Sequence, residues 1–324
     1  MKFWGLHREV DTGVLGMESS VVLSTANGRT SASESLDLPS FFVVGPPRTG
    51  TSWLHEVLTR YTNLPSPTKE TRFFDSHFNR GWKWYRDSFP KISPDRLMGE
   101  VAPTYFSSPE ARERIAQSIP HAKLIFVFRE PVGRVISLYR MKRAYGMVPW
   151  SFEEALERDP ELLESAKYAT YLKAWREQFP EDQLYVTLHD DLRKSPQAYI
   201  DGVSDFLGIS RITLTESERG HVHSSERMTQ PRNFAFTKTA LAIADWCKAR
   251  KLDNIVAAVR NTSLKKLFLG GGAPFPEMSA SARHKLAAIL RPEVEELETL
   301  IGRDLSSWKT HVREMDAGGN PASS

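Results

Sequence analysis

Eight consecutive residues, Gly45-Pro46-Pro47-Arg48-Thr49-Gly50-Thr51-Ser52, combine small side chains, hydroxyls and one strong cation between an apolar run and a helical pattern. Small residues let successive backbone N–H groups converge, and a helix N-terminus adds partial positive charge, so the chemistry on offer is phosphate binding. The spacing almost fits the nucleotide triphosphatase pattern G-x-x-x-x-G-K-[ST], but Thr51 stands where the lysine belongs and Arg48 lies two residues before Gly50. That lysine ordinarily reaches the β- and γ-phosphates, so its absence argues against ATP or GTP hydrolysis. The apolar run Leu124 to Phe128 ends in Arg129 and not in an aspartate that would hold Mg²⁺. Arginines at two strand ends, with no metal carboxylate, suit an anionic donor that needs no metal. The plainer alternative is that Arg48 caps a surface turn.

Arg129-Glu130-Pro131-Val132-Gly133-Arg134-Val135-Ile136-Ser137 supplies a second pattern, an arginine and a serine separated by seven residues. A strand end and the early part of its following helix can face one pocket. Taken alone, Ser137 reads more simply as a helix serine satisfied by its own backbone. Pro47-Arg48-Thr49-Gly50-Thr51-Ser52-Trp53 resembles the 5′-phosphosulfate loop of sulfotransferases that use 3′-phosphoadenosine 5′-phosphosulfate (PAPS), where Lys or Arg fills the position of Arg48. The resemblance implies that residues 47–53 bind the 5′ end of PAPS and that Arg129 and Ser137 bind its 3′-phosphate, with no metal.

Three further blocks, Lys69-Glu70-Thr71-Arg72-Phe73-Phe74-Asp75, Gly81-Trp82-Lys83-Trp84-Tyr85 and Gly99-Glu100-Val101-Ala102-Pro103-Thr104-Tyr105-Phe106, resemble the heparan sulfate glucosaminyl branch of that family. The resemblance extends over residues 40–308 and implies that Glu70 is the general base, with Asp75 beside it and Arg48 assisting catalysis. The chemistry needs a carboxylate to take the acceptor proton and donors for charge that develops on the departing phosphate. Read from the residues alone, Glu70 with Lys69 and Arg72 is more simply a surface charge cluster, and the resemblance reverses that preference. His55 is a rival base. Trp82, Trp84 and Tyr85 either line an acceptor cleft or pack in the core. Two positions depart from the branch: Val101 stands where a lysine is common and Arg72 where a histidine is frequent. Both leave the donor half intact and bear on the acceptor, a carbohydrate or other small hydroxylated molecule. Lys142, Arg143, Lys265 and Lys266 are candidate cations for a polyanionic acceptor or plain helix charges, and Gly270, Gly271 and Gly272 with Pro274 form a candidate late loop at the 3′-phosphate.

The elements that must position these residues follow from pattern. Phe41 to Val44, Leu124 to Phe128 and Gln183 to Leu188 read as strands. Ser52 to Arg60, the segment opened by Pro131, and Pro196 to Leu207 read as helices, and the chain beyond Arg232 reads as almost wholly helical, with Ser279 or Ser281 as a late N-cap. This alternation predicts an α/β, P-loop-like three-layer fold: a central parallel sheet flanked by helices. Residues 1–38 read as a flexible leader, with Met17 an alternative start, residues 39–309 as the sulfotransferase domain, and 310–324 as a flexible tail. A net charge of +3 in 324 residues is too small to suggest nucleic acid wrapping, and no nucleic acid partner is expected. One cysteine, Cys247, excludes an internal disulfide and a cysteine-based zinc cluster, and the histidines His77, His189, His221 and His223 show no metal spacing. Without a span-length apolar run or a secretion-like N-terminus, the expected location is cytoplasmic, with no stable membrane insertion. The competing functions are a nucleotide-dependent kinase on the same scaffold and a non-catalytic nucleotide-binding protein.

Overall fold

Phe41, Phe42 and Val43 are all fully buried, as befits a strand with both faces covered. The computed structural model describes residues 38–89, 93–220, 229–234, 271–276 and 278–309, with 237, 239 and 243. Strand β1 (Phe41–Val43) leads to α1 (Thr51–Leu58), then to a π-helical turn (Phe73–His77), α2 (Gly81–Arg86) and β2 (Gly99–Val101). Helix α3 (Pro109–Ser118), β3 (Lys123–Phe128) and α4 (Pro131–Ala144) follow. After α5 (Phe152–Arg158), α6 (Glu161–Glu164) and α7 (Tyr168–Arg176) comes β4 (Leu184–Leu188), then α8 (His189–Lys194), α9 (Pro196–Leu207) and α10 (Glu216–Gly220). The late part holds β5 (Thr229–Pro231), β6 (Gly271–Pro274) and α11 (Ala280–Ile301).

The main sheet has the order β2-β1-β3-β4, every pairing parallel. Its side chains alternate between two cores. Phe42, Leu124, Phe126 and Phe128 face one cluster with Phe73, Phe74, Tyr85, Leu172 and Trp175. Phe41, Val43, Val101, Ile125 and Val127 face another with Leu54 and Val57 of α1 and Ile200 and Val203 of α9. Period-two alternation with both sides apolar is what a doubly covered parallel sheet requires. Each such side chain contributes roughly 1.5–3 kcal/mol on burial.

The chain passes from β1 to β2 on one side and then returns to β3 on the other, so the strand order reverses between β1 and β3. In open parallel sheets the crevice beyond the carboxyl ends at such a reversal is where ligands bind. Arg48 follows β1 and Arg129 follows β3 directly.

Two features depart from the sequence reading. Strand β2 was not anticipated. Gly271 and Gly272 lie in a strand, not a loop, paired antiparallel with β5. Ser279 does cap α11, accepting from Ala282 N–H. Leu38, the last residue of the expected leader, packs against the core, while residues 1–37, the tail, Cys247, His221, His223, Lys265, Lys266 and Gly270 lie outside the described residues.

Candidate active site

The loop after β1 is shaped by its glycines. A Cβ on Gly45 would lie 2.3 Å from the Val127 backbone nitrogen, so only glycine lets the loop rest against β3. Gly50 has φ 100° and Arg48 φ 73°, both left-handed. A non-glycine residue held there carries backbone strain, which clusters at ligand sites. Thr49 Oγ1 closes the turn by donating to the Pro46 carbonyl at 2.8 Å. No side chain caps α1 and no acid occupies its first turn, which leaves a helix N-terminus suited to an anion.

The structure brings Arg48, Arg129 and Ser137 together. Arg48 Nε donates to Ser137 Oγ at 3.0 Å, and Arg129 Nη1 donates to the Arg48 carbonyl at 3.3 Å. The Arg129 carbonyl is fixed in turn by the Tyr168 hydroxyl at 3.0 Å. Burial, and then the charge of Arg129, hold the Arg48 guanidinium below its ordinary value. Two neighbouring, partly buried cations that disfavour each other's charge favour an anion beside them.

Lys69 and Glu70 lie against this loop. Lys69 Nζ donates to Ser52 Oγ at 3.2 Å and stands 3.6 Å from the Glu70 carboxylate. Burial is the largest influence on both. It lowers the lysine and raises the Glu70 carboxyl, while Lys69 and then Arg72 pull the carboxyl back down and Asp75 adds to the rise. Arg72, at φ 55°, turns the chain away and pairs with Asp75 at 3.3 Å. Lys69 is the residue that sequence reasoning missed, having been taken only as part of a charge cluster. Its adjacency to Glu70 was the available signal. An ammonium thus reaches the loop from a different segment, while Val101 is fully buried in the apolar face shared with α1.

The rival base is weak. Burial first and the Lys69 charge second push His55 down to about 4, and its Nε2 is buried without a hydrogen-bond partner. Trp53 lies in the core, its indole N–H donating to the Glu218 carbonyl at 2.8 Å. Tyr85 is a core residue stacked on Phe73 at 4.4 Å, and Trp82 and Trp84 pack half-buried around the same ring. Lys142 is neither a cleft cation nor a solvated charge. It is buried between Asp159 (2.7 Å) and Glu161 (2.5 Å). Arg143 is spent on the carbonyls of Pro149 and Trp150 and on the face of Phe234. The β5–β6 ribbon sits along α4 one turn beyond Ser137, where Arg140 and Arg143 bond Pro276 and Gln230. Among the described residues no group of His, Cys, Asp or Glu is arranged to hold a metal ion, and no helix is long and apolar enough to cross a membrane.

Comparison with known proteins places the chain in a family. Over 298 residues the chain is 30% identical to the human bifunctional heparan sulfate N-deacetylase/N-sulfotransferase 3, a match covering 84% of this chain and 31% of that protein. It is 31% identical over 191 residues to the mouse heparan sulfate glucosamine 3-O-sulfotransferase 3B1, covering 56% of this chain and 49% of that one. The chain therefore spans about a third to a half of the length of these curated relatives. A solved sulfotransferase from Alicyclobacillus acidocaldarius shares the fold, with TM-score 0.60 and 23% identity over 84% of this chain and 99% of that one. The sulfotransferase domain family matches residues 38–251, a span that contains the loop, both arginines, Ser137 and Glu70, and the chain belongs to that family.

Proposed function

We propose that this protein moves the sulfuryl group of PAPS to a hydroxyl or amine of an acceptor by in-line displacement, with Glu70 as general base. The observation that carries the reading is the link from Ser52 through Lys69 to Glu70, which sets a carboxylate beside an anion-binding loop. Residues 47–52, Arg48 among them, hold the 5′-phosphosulfate with Trp53 packed in the core behind them, and Arg129 with Ser137 holds the 3′-phosphate. The acceptor atom forms its bond to sulfur as the bridging S–O bond breaks. Glu70 takes the acceptor proton, and the electron pair leaves on the 5′-phosphate oxygen. Arg48, Lys69 and the loop amides stabilise that charge. A kinase is disfavoured by Thr51 and Arg129, which stand where a lysine and a metal-binding aspartate would be needed. The names of the curated relatives favour a glucosaminyl carbohydrate as acceptor, and residues 39–309 form the transferring domain.

Glu70→Gln tests the reading. Adenosine 3′,5′-bisphosphate should bind the variant as it binds wild type in calorimetry, while transfer falls by about 10²–10⁴-fold, the usual worth of a general base. Undiminished transfer removes Glu70 as the base. Because burial raises the Glu70 carboxyl, the wild-type rate should rise with pH along a limb lying above the ordinary carboxylate range.

A further inference from the structure

Residues 69–75, 81–85 and 99–106 are separate in the chain, yet one side chain joins all three. Glu100, the middle residue of β2, is fully buried. Its Oε1 accepts from Thr71 N–H at 2.7 Å and from the Thr71 hydroxyl at 2.7 Å. Its Oε2 accepts from the Tyr85 hydroxyl at 2.9 Å and the Tyr105 hydroxyl at 3.2 Å. Two of these hydroxyls are themselves acceptors: Phe73 N–H donates to Thr71 Oγ1 at 3.1 Å, and Phe74 N–H donates to the Tyr105 oxygen at 3.3 Å. The Thr71 and Tyr105 oxygens also lie 3.3 Å apart, within hydrogen-bond reach of each other as well as of Glu100. The carboxylate's acceptor capacity is then filled by four donors, none of them cationic.

Such an arrangement is a poor choice for stability alone. Burial pushes the Glu100 carboxyl up to about 7 even though all four bonds pull it down. A well-packed apolar residue avoids that desolvation, so the carboxylate is better understood through the position it specifies. What it specifies is the backbone from Thr71 to Phe74. Thr71 follows Glu70 directly, and the left-handed Arg72 turns the chain immediately afterwards.

We propose that Glu100 is a positioning residue, anchoring through Thr71, Tyr85 and Tyr105 the segment that presents Lys69 and Glu70 to the phosphate loop. This inference rests on Glu70 as the base, and it predicts why the three blocks occur together: the first supplies two donors from Thr71, the second Tyr85, and the third Tyr105 with Glu100 itself.

The test uses the full chain and two kinds of substitution. Thr71→Val removes the hydroxyl link while keeping the amide, and Thr71→Ser restores it. Glu100→Gln replaces an acceptor oxygen with an amide that faces two tyrosine hydroxyls. Three quantities are read: kcat with PAPS, the Kd of adenosine 3′,5′-bisphosphate by calorimetry, and hydrogen exchange at the amides of Thr71, Phe73 and Phe74. Displacing a base by about 1 Å can cost about 10²-fold. Thr71→Val and Glu100→Gln should therefore lose roughly 10- to 100-fold in kcat, with the Kd changed less than about twofold. Exchange should quicken at the three amides and stay as in wild type in β3. Thr71→Ser should recover both rate and protection. Unchanged exchange at these amides overturns the anchor, and so does unchanged kcat with faster exchange. If Glu70→Gln retains full transfer, the base assignment falls instead. Faster exchange with lowered kcat in Thr71→Val would then leave Glu100 anchoring Lys69 alone.

Discussion

Helices α1 and α4 begin where two neighbouring strands end, and they are finished in opposite ways. At α1 no side chain caps the N-terminus and no acid lies in the first turn. At α4 the Glu130 carboxylate accepts from Val132 N–H at 2.7 Å and Gly133 N–H at 2.6 Å. Gly133 leaves the room, since a Cβ there would lie 2.8 Å from that carboxylate. One helix end is open to an external anion and the other is closed by an internal one. The lesson is that the two phosphate sites proposed here work differently. The first uses loop amides and the helix dipole, whereas the second must rely on the side chains of Arg129 and Ser137.

The largest expected effect comes from Arg48, the cation of the loop, which also bonds Ser137. Arg48→Ala should weaken adenosine 3′,5′-bisphosphate binding more than 100-fold by calorimetry, about 3 kcal/mol, and abolish transfer. Equal affinity in this variant would break the comparison at its centre. Ser52→Asp closes the open end of α1 as Glu130 closes α4, and the new carboxylate also captures Lys69. A loss of about 2 kcal/mol, or about 30-fold in Kd, is expected. Glu130→Ala opens α4 in return. It should lower unfolding stability by about 1 kcal/mol in a denaturant titration and leave the Kd within about twofold. A large loss of ligand affinity in that variant would show the two helix ends to be functionally alike. Among the affinity effects the weakest loss is that of Ser137→Ala, which removes one neutral hydroxyl and should weaken binding about fivefold, about 1 kcal/mol.

Local pattern made much of this molecule legible. Strands β1, β3 and β4, the helices opened by Pro131 and Pro196, and the phosphate loop all carry apolar periodicity or fixed-spacing chemistry in consecutive residues. The resemblance assigns Arg48 and Ser137 to different ends of one donor, and the 3.0 Å bond between them is a contact only the fold supplies, where the strand order reverses. What stayed hidden depends on contacts across the chain. Strand β2 is three residues long with a carboxylate at its centre, so it has no apolar run to detect. Glu100 makes sense only with Tyr85 and Thr71 beside it, 15 and 29 residues away. Lys69 reads as a surface charge until Ser52, 17 residues earlier, is brought within 3.2 Å. Lys142 carries helical spacing compatible with solvent, and only the fold puts Asp159 and Glu161 around it.

Gly45 ties the two arginine-bearing segments through backbone and not through side chains. A Cβ at this position would lie 2.3 Å from the Val127 nitrogen, so the loop seats on β3 two residues before Arg129 with no side chain between them to compress or rearrange. A larger residue at position 45 would lift the loop that carries Arg48 from the strand that leads to Arg129 without touching a single charged group.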